Sequence, residues 1–307
     1  MTDRLRPRPL SVIGAPSSAG AYGPGQERAP DALRTHGLID SLRASGVDVV
    51  DRGNGTTITW RTDEEHPEAA NAGLVASAAR TVADSVADAF TEGHDVLVLG
   101  GDCTLELGTV AGASSADPDD RVALVYIDLD VDLNTPDTGD GILDWMGVAH
   151  LLDVDGAHQE LVSLAQRRPM LEPDAVRLVA AANITPPEQA TIDALGVQVE
   201  PLEAVVRDPG QVVARTQTWA QEYDRLLVHV DIDVLDYDKF PIAENTGRRG
   251  GLELAQLTAL LRELCALPNW RALTLTEVNP GHAPDESRSL RQLVAMLVDA
   301  IAPRARQ

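Results

Sequence analysis

Short apolar runs alternate with stretches of helical periodicity along the whole chain. The apolar runs predict β-strands at 10–14, 47–51, 95–99, 122–128, 175–181, 197–200, 226–231 and 272–276. Helices are predicted over 31–45, 68–90 and 286–301, and in the second of these apolar residues recur every four positions from Leu74 to Phe90. A Gly/Pro-rich loop precedes the first helix up to Pro30, and the polar stretch 54–67 predicts a surface loop.

The predicted strands read as continuous apolar runs, such as VLVL within 95–99 and VALVYI at 122–127. Such runs are typical of strands buried on both faces, and their alternation with helices indicates a parallel sheet. No linker or internal repeat divides the chain. We therefore predict a single α/β domain over residues 1–307, with a mostly parallel sheet, helices on both faces and a flexible tail at residues 1–9.

The excess of acidic residues argues against polyanionic binding partners. The 48 acidic residues outnumber the 25 Lys and Arg, for a net charge of −23, so nucleic acid and anionic membranes would repel the protein. No apolar run reaches membrane-spanning length, and no apolar segment of a signal peptide follows the basic N-terminus. With only two cysteines, we expect a soluble cytoplasmic protein without nucleic-acid or membrane partners.

Acidic residues gather where predicted strands end. The strand at 122–128 runs into DLDVDLN at 128–134, and the strand at 226–231 ends in DID at 231–233. Side chains two residues apart on an extended chain lie on the same side, and the carboxyl ends of parallel strands meet at one edge of the sheet. We expect five carboxylates to converge there, those of Asp128, Asp130, Asp132, Asp231 and Asp233.

Such a cluster needs a counter-charge. Two like charges about 4 Å apart repel by roughly 4 kcal/mol at an effective dielectric near 20. Divalent cations, inserted arginines or protonation could each relieve this repulsion, and the simpler alternative is a set of solvated loop aspartates. Because these aspartates directly flank apolar strands, a metal or another buried cation is the favoured interpretation.

Several motifs, in order, resemble those of the ureohydrolase (arginase/agmatinase) family. VIGAP at 12–16 resembles its N-terminal segment, GGDCT at 100–104 resembles GGDHS, and residues 128–136 resemble DAHxDxNTP. Residues 231–236 resemble SxDxDxxDP, and EVNP at 277–280 resembles a C-terminal motif. The resemblance spans nearly the whole chain. It implies an arginase-like fold, a homo-oligomer and a pair of Mn²⁺ ions that activate water to hydrolyse a guanidinium group.

The sequence departs from the family pattern at the positions of metal-binding and catalytic residues. Cys103 and Asp130 stand where the family has metal-binding histidines, and Asp144 stands at a histidine that acts in proton transfer. The resemblance leaves Asp128, Asp132, Asp231 and Asp233 as metal ligands, with Cys103 either a further ligand or a small buried side chain. An oxygen-rich site of this kind suits Mn²⁺, Mg²⁺ or Ca²⁺ better than Zn²⁺.

The remaining predicted site residues follow from the same resemblance. Glu277, Asp144 and Asp130 are assigned to catalysis, and the substrate side is assigned to Asn134, Asp140, Glu188 and Thr246. His229 and His282 are expected beside the site or on the surface. Because Asp140 would repel an α-carboxylate, we predict a small guanidino or amidino substrate other than plain arginine.

Three functions stay open. An altered amidinohydrolase would use one Mn²⁺ ion or a weakly held pair. A repurposed enzyme would work without metal, using its carboxylates as acid–base groups. A catalytically silent chain would serve as a subunit of an oligomer. Arg248 and Arg249 bear on the choice, since they could neutralise the aspartates without any metal, bind an anionic group or lie exposed in their loop.

Overall fold

A computed structural model describes residues 8–302 of the chain. Its strands are β1 Leu10–Gly14, β2 Val49–Asn54, β3 Asp95–Leu99, β4 Val122–Ile127, β5 Val176–Ala181, β6 Gln198–Pro201, β7 Arg225–Asp231 and β8 Trp270–Thr276. Its helices are α1 Ala29–Thr35, α2 Leu38–Ala44, α3 Ala72–Thr91, α4 Glu106–Ala116, α5 Gly147–Leu151, α6 Gln159–Val162, α7 Pro186–Leu195, α8 Leu202–Arg207, α9 Pro209–Ala220, α10 Leu254–Cys265 and α11 Glu286–Ile301.

The eight strands form one sheet in the order β2-β1-β3-β8-β7-β4-β5-β6, and each neighbouring pair is parallel. Alternate strand residues enter two separate cores. Leu97 and Leu99 of β3 pack in the core that includes α10 and α11, whereas Val96 and Val98 pack in the core that includes α3 and α4. The predicted single α/β domain with helices on both faces of a parallel sheet is confirmed.

Local boundaries differ from the prediction for identifiable reasons. The predicted helix at 31–45 is two helices, because Gly37 between α1 and α2 adopts a left-handed conformation with φ of 88°. The helix predicted from residue 68 begins at Ala72, after Asn71, whose backbone N–H donates to Asp63 Oδ2 at 2.9 Å. Residues 1–7 of the predicted tail lie outside the described residues, and the Pro9 carbonyl accepts the Asp95 N–H at 2.9 Å.

The topology brings the carboxyl ends of β3, β8, β7 and β4 together at the centre of one sheet edge. The glycines after β3 let its loop lie directly against the loop after β1. A Cβ on Gly101 would stand 1.6 Å from the Ser17 carbonyl oxygen, so a larger residue would push these loops apart. Within residues 8–302, no helix is long and apolar enough to cross a membrane.

Candidate active site

A small cavity lies at the carboxyl ends of the central strands β4, β7 and β8. Its volume is about 20 Å³, room for an occupant about the size of one water molecule. All five predicted aspartates line the cavity. Asp144 and Glu277, which were predicted to act in catalysis, line it as well. The full lining is Tyr22, Asp128, Asp130, Asp132, Asp144, Trp145, Asp231, Asp233, Asn245 and Glu277.

The loop after β4 turns three aspartates toward this cavity. The Asp128 N–H donates to the Val179 carbonyl at 3.0 Å, which continues the pairing of β4 with β5 past the end of the strand. Asp128 Oδ1 accepts the Asp130 N–H at 2.8 Å, so the first aspartate fixes the turn that carries the second. Asp132 has a φ of 51°, and its carboxylate accepts a hydrogen bond from the Tyr126 hydroxyl.

The end of β7 supplies the other two aspartates. Asp231 Oδ1 accepts the Asp233 N–H at 2.7 Å and so caps the short 3₁₀ turn at 232–234. Asp233 is only 4% exposed, and its buried Oδ1 atom has no hydrogen-bond partner among the residues that the structure describes. A buried carboxylate oxygen left without a donor is costly, so this atom marks a position at which a cation or a donor group is favoured.

Cys103 lies beneath the aspartates and is fully buried. Its thiol donates to Asp231 Oδ2 at 3.2 Å and contacts Thr276 Oγ1 at 3.1 Å. Burial, and then the Asp231 carboxylate, raise the pKa of the Cys103 thiol well above its usual range. The thiol is therefore neutral in this arrangement and acts as a hydrogen-bond donor to the cluster.

Glu277 and Asp144 lie close together in the cavity lining. Glu277 follows β8 with a φ of 61°, and its N–H donates to the Gly101 carbonyl at 2.8 Å. Its Oε2 accepts a hydrogen bond from Gln26 Nε2 at 3.2 Å, while the buried Oε1 has no hydrogen-bond partner in the described part of the chain. Asp144 Oδ1 accepts the Cys103 N–H at 2.8 Å. One acceptor atom from each of Cys103, Asp144 and Glu277 lies within 4.8 Å of the others.

Burial dominates the electrostatics of the cluster. It raises the pKa of Asp128 well above its usual range, and the carboxylates of Asp231 and Asp233 raise that pKa further. Burial and the Asp130 carboxylate raise the pKa of Asp233 to about 7, against the opposing attraction of Arg248. The pKa of Asp132 also rises well above its usual range through burial. Burial and mutual repulsion thus favour the protonated forms of these carboxyl groups, and keeping them ionised at neutral pH costs free energy that a cation would offset.

One of the two loop arginines enters the cluster. Arg248 forms an ion pair with Asp130 Oδ2, and its Nε lies 3.7 Å from Asp233 Oδ2. Arg249 turns away and pairs with Asp238 at 2.7 Å on the surface. Part of the predicted neutralisation by arginine therefore occurs, and it comes from Arg248 alone.

The donor set suits a hard divalent cation. One carboxylate oxygen from each of Asp128, Asp130 and Asp233 lies within 4.8 Å of the others, and these three residues are called the aspartate triad below. The unpartnered Asp233 Oδ1 belongs to this triad. Carboxylate oxygens are the ligands that Mn²⁺ and Mg²⁺ prefer, so the residues present fit at least one such ion.

Four predicted substrate-side residues lie outside the cavity lining. Glu188 is buried in the capping box of α7, where Oε2 accepts from Thr185, while Oε1 accepts the Leu133 N–H at 3.2 Å. Asn134 accepts a hydrogen bond from Thr138, and Thr246 is exposed. Asp140 is exposed at the rim, where its Oδ1 accepts from Trp145 Nε1 at 3.2 Å.

Sequence reasoning missed Tyr126, whose hydroxyl holds Asp132. Its ring stacks on His229 at 4.1 Å between centroids, and His229 in turn contacts Glu106 Oε2 at 3.3 Å and Thr276 Oγ1 at 3.3 Å. These groups form a buried polar layer under the aspartates, so His229 lies beside the site, as expected. The sequence did contain an indication of this layer, because Tyr126 and His229 each interrupt an apolar strand. A polar side chain buried in such a strand needs a hydrogen-bond partner.

Comparisons with known proteins agree with this architecture. A model of the Arginase family matches residues 8–302. Arginase-1 of Rattus norvegicus is 28% identical over 298 residues, which cover 95% of this chain and 92% of the rat protein. The arginase structure from Bacillus caldovelox has a TM-score of 0.85 at 24% identity and covers 95% of this chain and 98% of its own. The formimidoylglutamase structure from Bacillus subtilis has a TM-score of 0.74 at 17% identity and covers 97% of this chain and 87% of its own.

Proposed function

The chain belongs to the arginase family, and from that premise we propose that it hydrolyses a C–N bond of a guanidino or amidino compound other than plain arginine. The observation that carries the proposal is the convergence of five aspartates, Asp144 and Glu277 on one cavity. A chain that kept the fold without the chemistry would have no need to hold so many carboxylates together, because each one is costly to bury.

A divalent cation, with Mn²⁺ the expected ion, belongs at the aspartate cluster. The aspartate triad would hold it on one side, and Asp132 and Asp231 lie in the same cavity lining. When bound, the cation supplies Lewis-acid activation of water. Cys103 contributes by donating its thiol proton to Asp231 Oδ2, which fixes the orientation of that carboxylate.

Glu277 is proposed to bind the cationic group of the substrate. Its Oε1 is buried and has no donor, while Gln26 fixes the other oxygen. An N–H of a guanidinium or amidinium group would satisfy this oxygen and neutralise its charge at the same time. Such charge-assisted bonds are roughly twice as strong as neutral ones, which makes Glu277 the principal contact for the reacting group.

Asp144 is proposed to move a proton between the attacking water and the departing nitrogen. The Cys103 N–H donates to its Oδ1 at 2.8 Å, and the other oxygen, Oδ2, would carry the proton. One oxygen of Asp144 lies within 4.8 Å of one oxygen of Glu277, so a substrate nitrogen held by Glu277 would lie within reach of Asp144 once the cavity widens beyond its present size of about one water molecule. Asp130 orients the aspartate triad through its ion pair with Arg248.

The rim of the cavity favours a substrate whose far end is not a carboxylate. Asp140 carries a negative charge there, and it holds the indole of Trp145 through Nε1 at 3.2 Å. Trp145 stacks with Tyr22, with 6.4 Å between ring centroids, and aromatic faces attract cations. Asn134 and Thr246 are proposed contacts farther along the substrate, and Glu188 is proposed to act indirectly, by holding Leu133 beside Asp132.

The ion pair between Arg248 and Asp130 favours a second candidate, a metal-free enzyme of the same fold. There the cationic substrate itself would add the remaining counter-charge, and Asp144 would act as acid and base. In either case we propose a cytoplasmic homo-oligomer that acts on a small molecule, on the strength of the family resemblance and the low cysteine content.

An activity screen tests the proposal. Purified protein is treated with EDTA, desalted, divided, and assayed with and without Mn²⁺ against guanidino and amidino compounds, with urea, substituted ureas and ammonia as products. We expect turnover that requires Mn²⁺ and that prefers substrates with a neutral or cationic far end over arginine. Turnover that survives EDTA would support the metal-free candidate, and no turnover across the screen would contradict both.

A further inference from the structure

Arg248 lies on the aspartate triad that is suited to a metal ion. Its guanidinium pairs with Asp130 Oδ2, and its Nε is 3.7 Å from Asp233 Oδ2. These are two of the three residues whose oxygens lie within 4.8 Å of one another. An arginine side chain keeps its charge at any physiological pH, so the triad already has one permanent positive charge beside it.

The loop around Arg248 is held so that this side chain points inward. The Arg248 carbonyl accepts the Tyr237 N–H at 3.1 Å, and the next residue, Arg249, pairs with Asp238 and lies over the Tyr237 ring at 5.3 Å. These contacts hold the Arg249 side chain at the surface and fix the backbone of Arg248. The Arg248 side chain therefore points toward the aspartates. The Arg248 side chain is only 26% exposed.

The positive charge of Arg248 leaves the triad partly unsatisfied. Asp233 belongs to the triad, and its Oδ1 is buried and has no hydrogen-bond partner within residues 8–302. Arg248 contacts the opposite oxygen of the same carboxylate, Oδ2. The guanidinium therefore leaves one carboxylate oxygen of the triad without a partner, and a small cation would satisfy that oxygen.

We propose that Arg248 is a built-in cation that shares the aspartate triad with a divalent metal ion and competes with it electrostatically. The inference rests on the proposed function in one respect, the binding of a divalent ion at this cluster. Arg248 lowers the affinity for that ion by repulsion and by holding Asp130 and Asp233, and in return it keeps the metal-free cluster folded.

Manganese binding to Arg248→Gln tests this inference. Mn²⁺ alone is titrated into EDTA-treated, desalted protein, and the free ion is followed by electron paramagnetic resonance. We expect the Kd of Arg248→Gln to fall at least tenfold below that of the wild type. Arg248→Lys keeps the charge, so its Kd should stay close to the wild-type value. Arg249→Gln is the matched control, since Arg249 points away from the cluster, and it should bind Mn²⁺ as the wild type does.

The outcomes separate this inference from the proposed function. Equal or weaker Mn²⁺ binding by Arg248→Gln would overturn the inference while leaving a metal-binding wild type intact. Mn²⁺ binding by Arg248→Gln alone would support the inference and contradict metal use by the wild type. Binding by neither protein would overturn both. If Arg248→Gln does not fold, Arg248→Met replaces it, since methionine keeps an unbranched side chain without the charge: a Kd at least tenfold below the wild-type value would support the inference, and an equal or higher Kd would overturn it.

Discussion

Replacing Asp231 with asparagine is expected to shift the melting temperature in opposite directions with and without Mn²⁺. Without metal, burial and the neighbouring Asp233 carboxylate raise the pKa of Asp231, so at neutral pH an ionisable group at this position lowers the free energy of unfolding. Asparagine at position 231 cannot be charged, which removes the repulsion between this residue and Asp233. For two like charges about 4 Å apart at an effective dielectric near 20, that repulsion is up to about 4 kcal/mol. The asparagine oxygen can still accept the Asp233 N–H, which preserves the turn.

With saturating Mn²⁺ the same substitution removes a carboxylate from the ion's surroundings, so the gain in melting temperature on adding Mn²⁺ should shrink or vanish. Differential scanning fluorimetry with EDTA and with Mn²⁺ measures both effects. Asp236→Asn is the control, because Asp236 lies on the same segment outside the cavity lining and should respond to Mn²⁺ like the wild type. A variant destabilised equally in both conditions would contradict a charge cluster that is relieved by a cation.

Glu277→Gln is expected to reduce kcat/KM by roughly 10²–10⁴-fold on whichever substrate the activity screen identifies. The substitution keeps the shape of the side chain but removes the charge that faces the guanidinium or amidinium group. Leaving one partner of a buried ion pair uncompensated costs about 3–5 kcal/mol, which corresponds to that range of rates. The oxygen of the glutamine amide can still accept the hydrogen bond from Gln26 Nε2, so the fold should be retained.

Glu244→Gln provides the matched control. Glu244 is also a buried glutamate, and its N–H donates to the Glu277 carbonyl at 2.9 Å, but its side chain pairs with Asn279 outside the cavity lining. We expect this variant to stay within about threefold of wild-type activity, in line with a neutral hydrogen-bond change. If both variants lose activity alike, Glu277 acts through the structure of its loop and not through contact with substrate.

The sheet and the location of the site could be predicted from the sequence because both follow from local rules. Continuous apolar runs identify strands that are buried on both faces, and β3 was predicted with its observed bounds, Asp95–Leu99. Aspartates spaced two apart after such strands must point to one side at one edge of a parallel sheet. The location of Asp128 and Asp231 at one edge therefore needed no tertiary information, and they converge because β4 and β7 are neighbours in the sheet.

What could not be predicted depends on contacts between distant segments. Arg248 and Arg249 are adjacent in one loop, and only the pairing of Arg249 with Asp238 and Tyr237 determines which of them turns inward. Glu188 was predicted to face the substrate, but the helix start at Thr185 uses its carboxylate in a capping box. Tyr126 lies in an apolar strand, and its hydrogen bond to Asp132 exists only because the loop after β4 folds back.

The most direct test of metal binding at the aspartate cluster is anomalous X-ray diffraction from crystals of the wild-type protein grown with Mn²⁺. We expect an anomalous peak about 2.0–2.5 Å from carboxylate oxygens of Asp128 and Asp233, with Arg248 beside it. If the cavity shows no peak at saturating Mn²⁺ and Arg248 alone contacts the aspartates, a divalent cation is not part of this site.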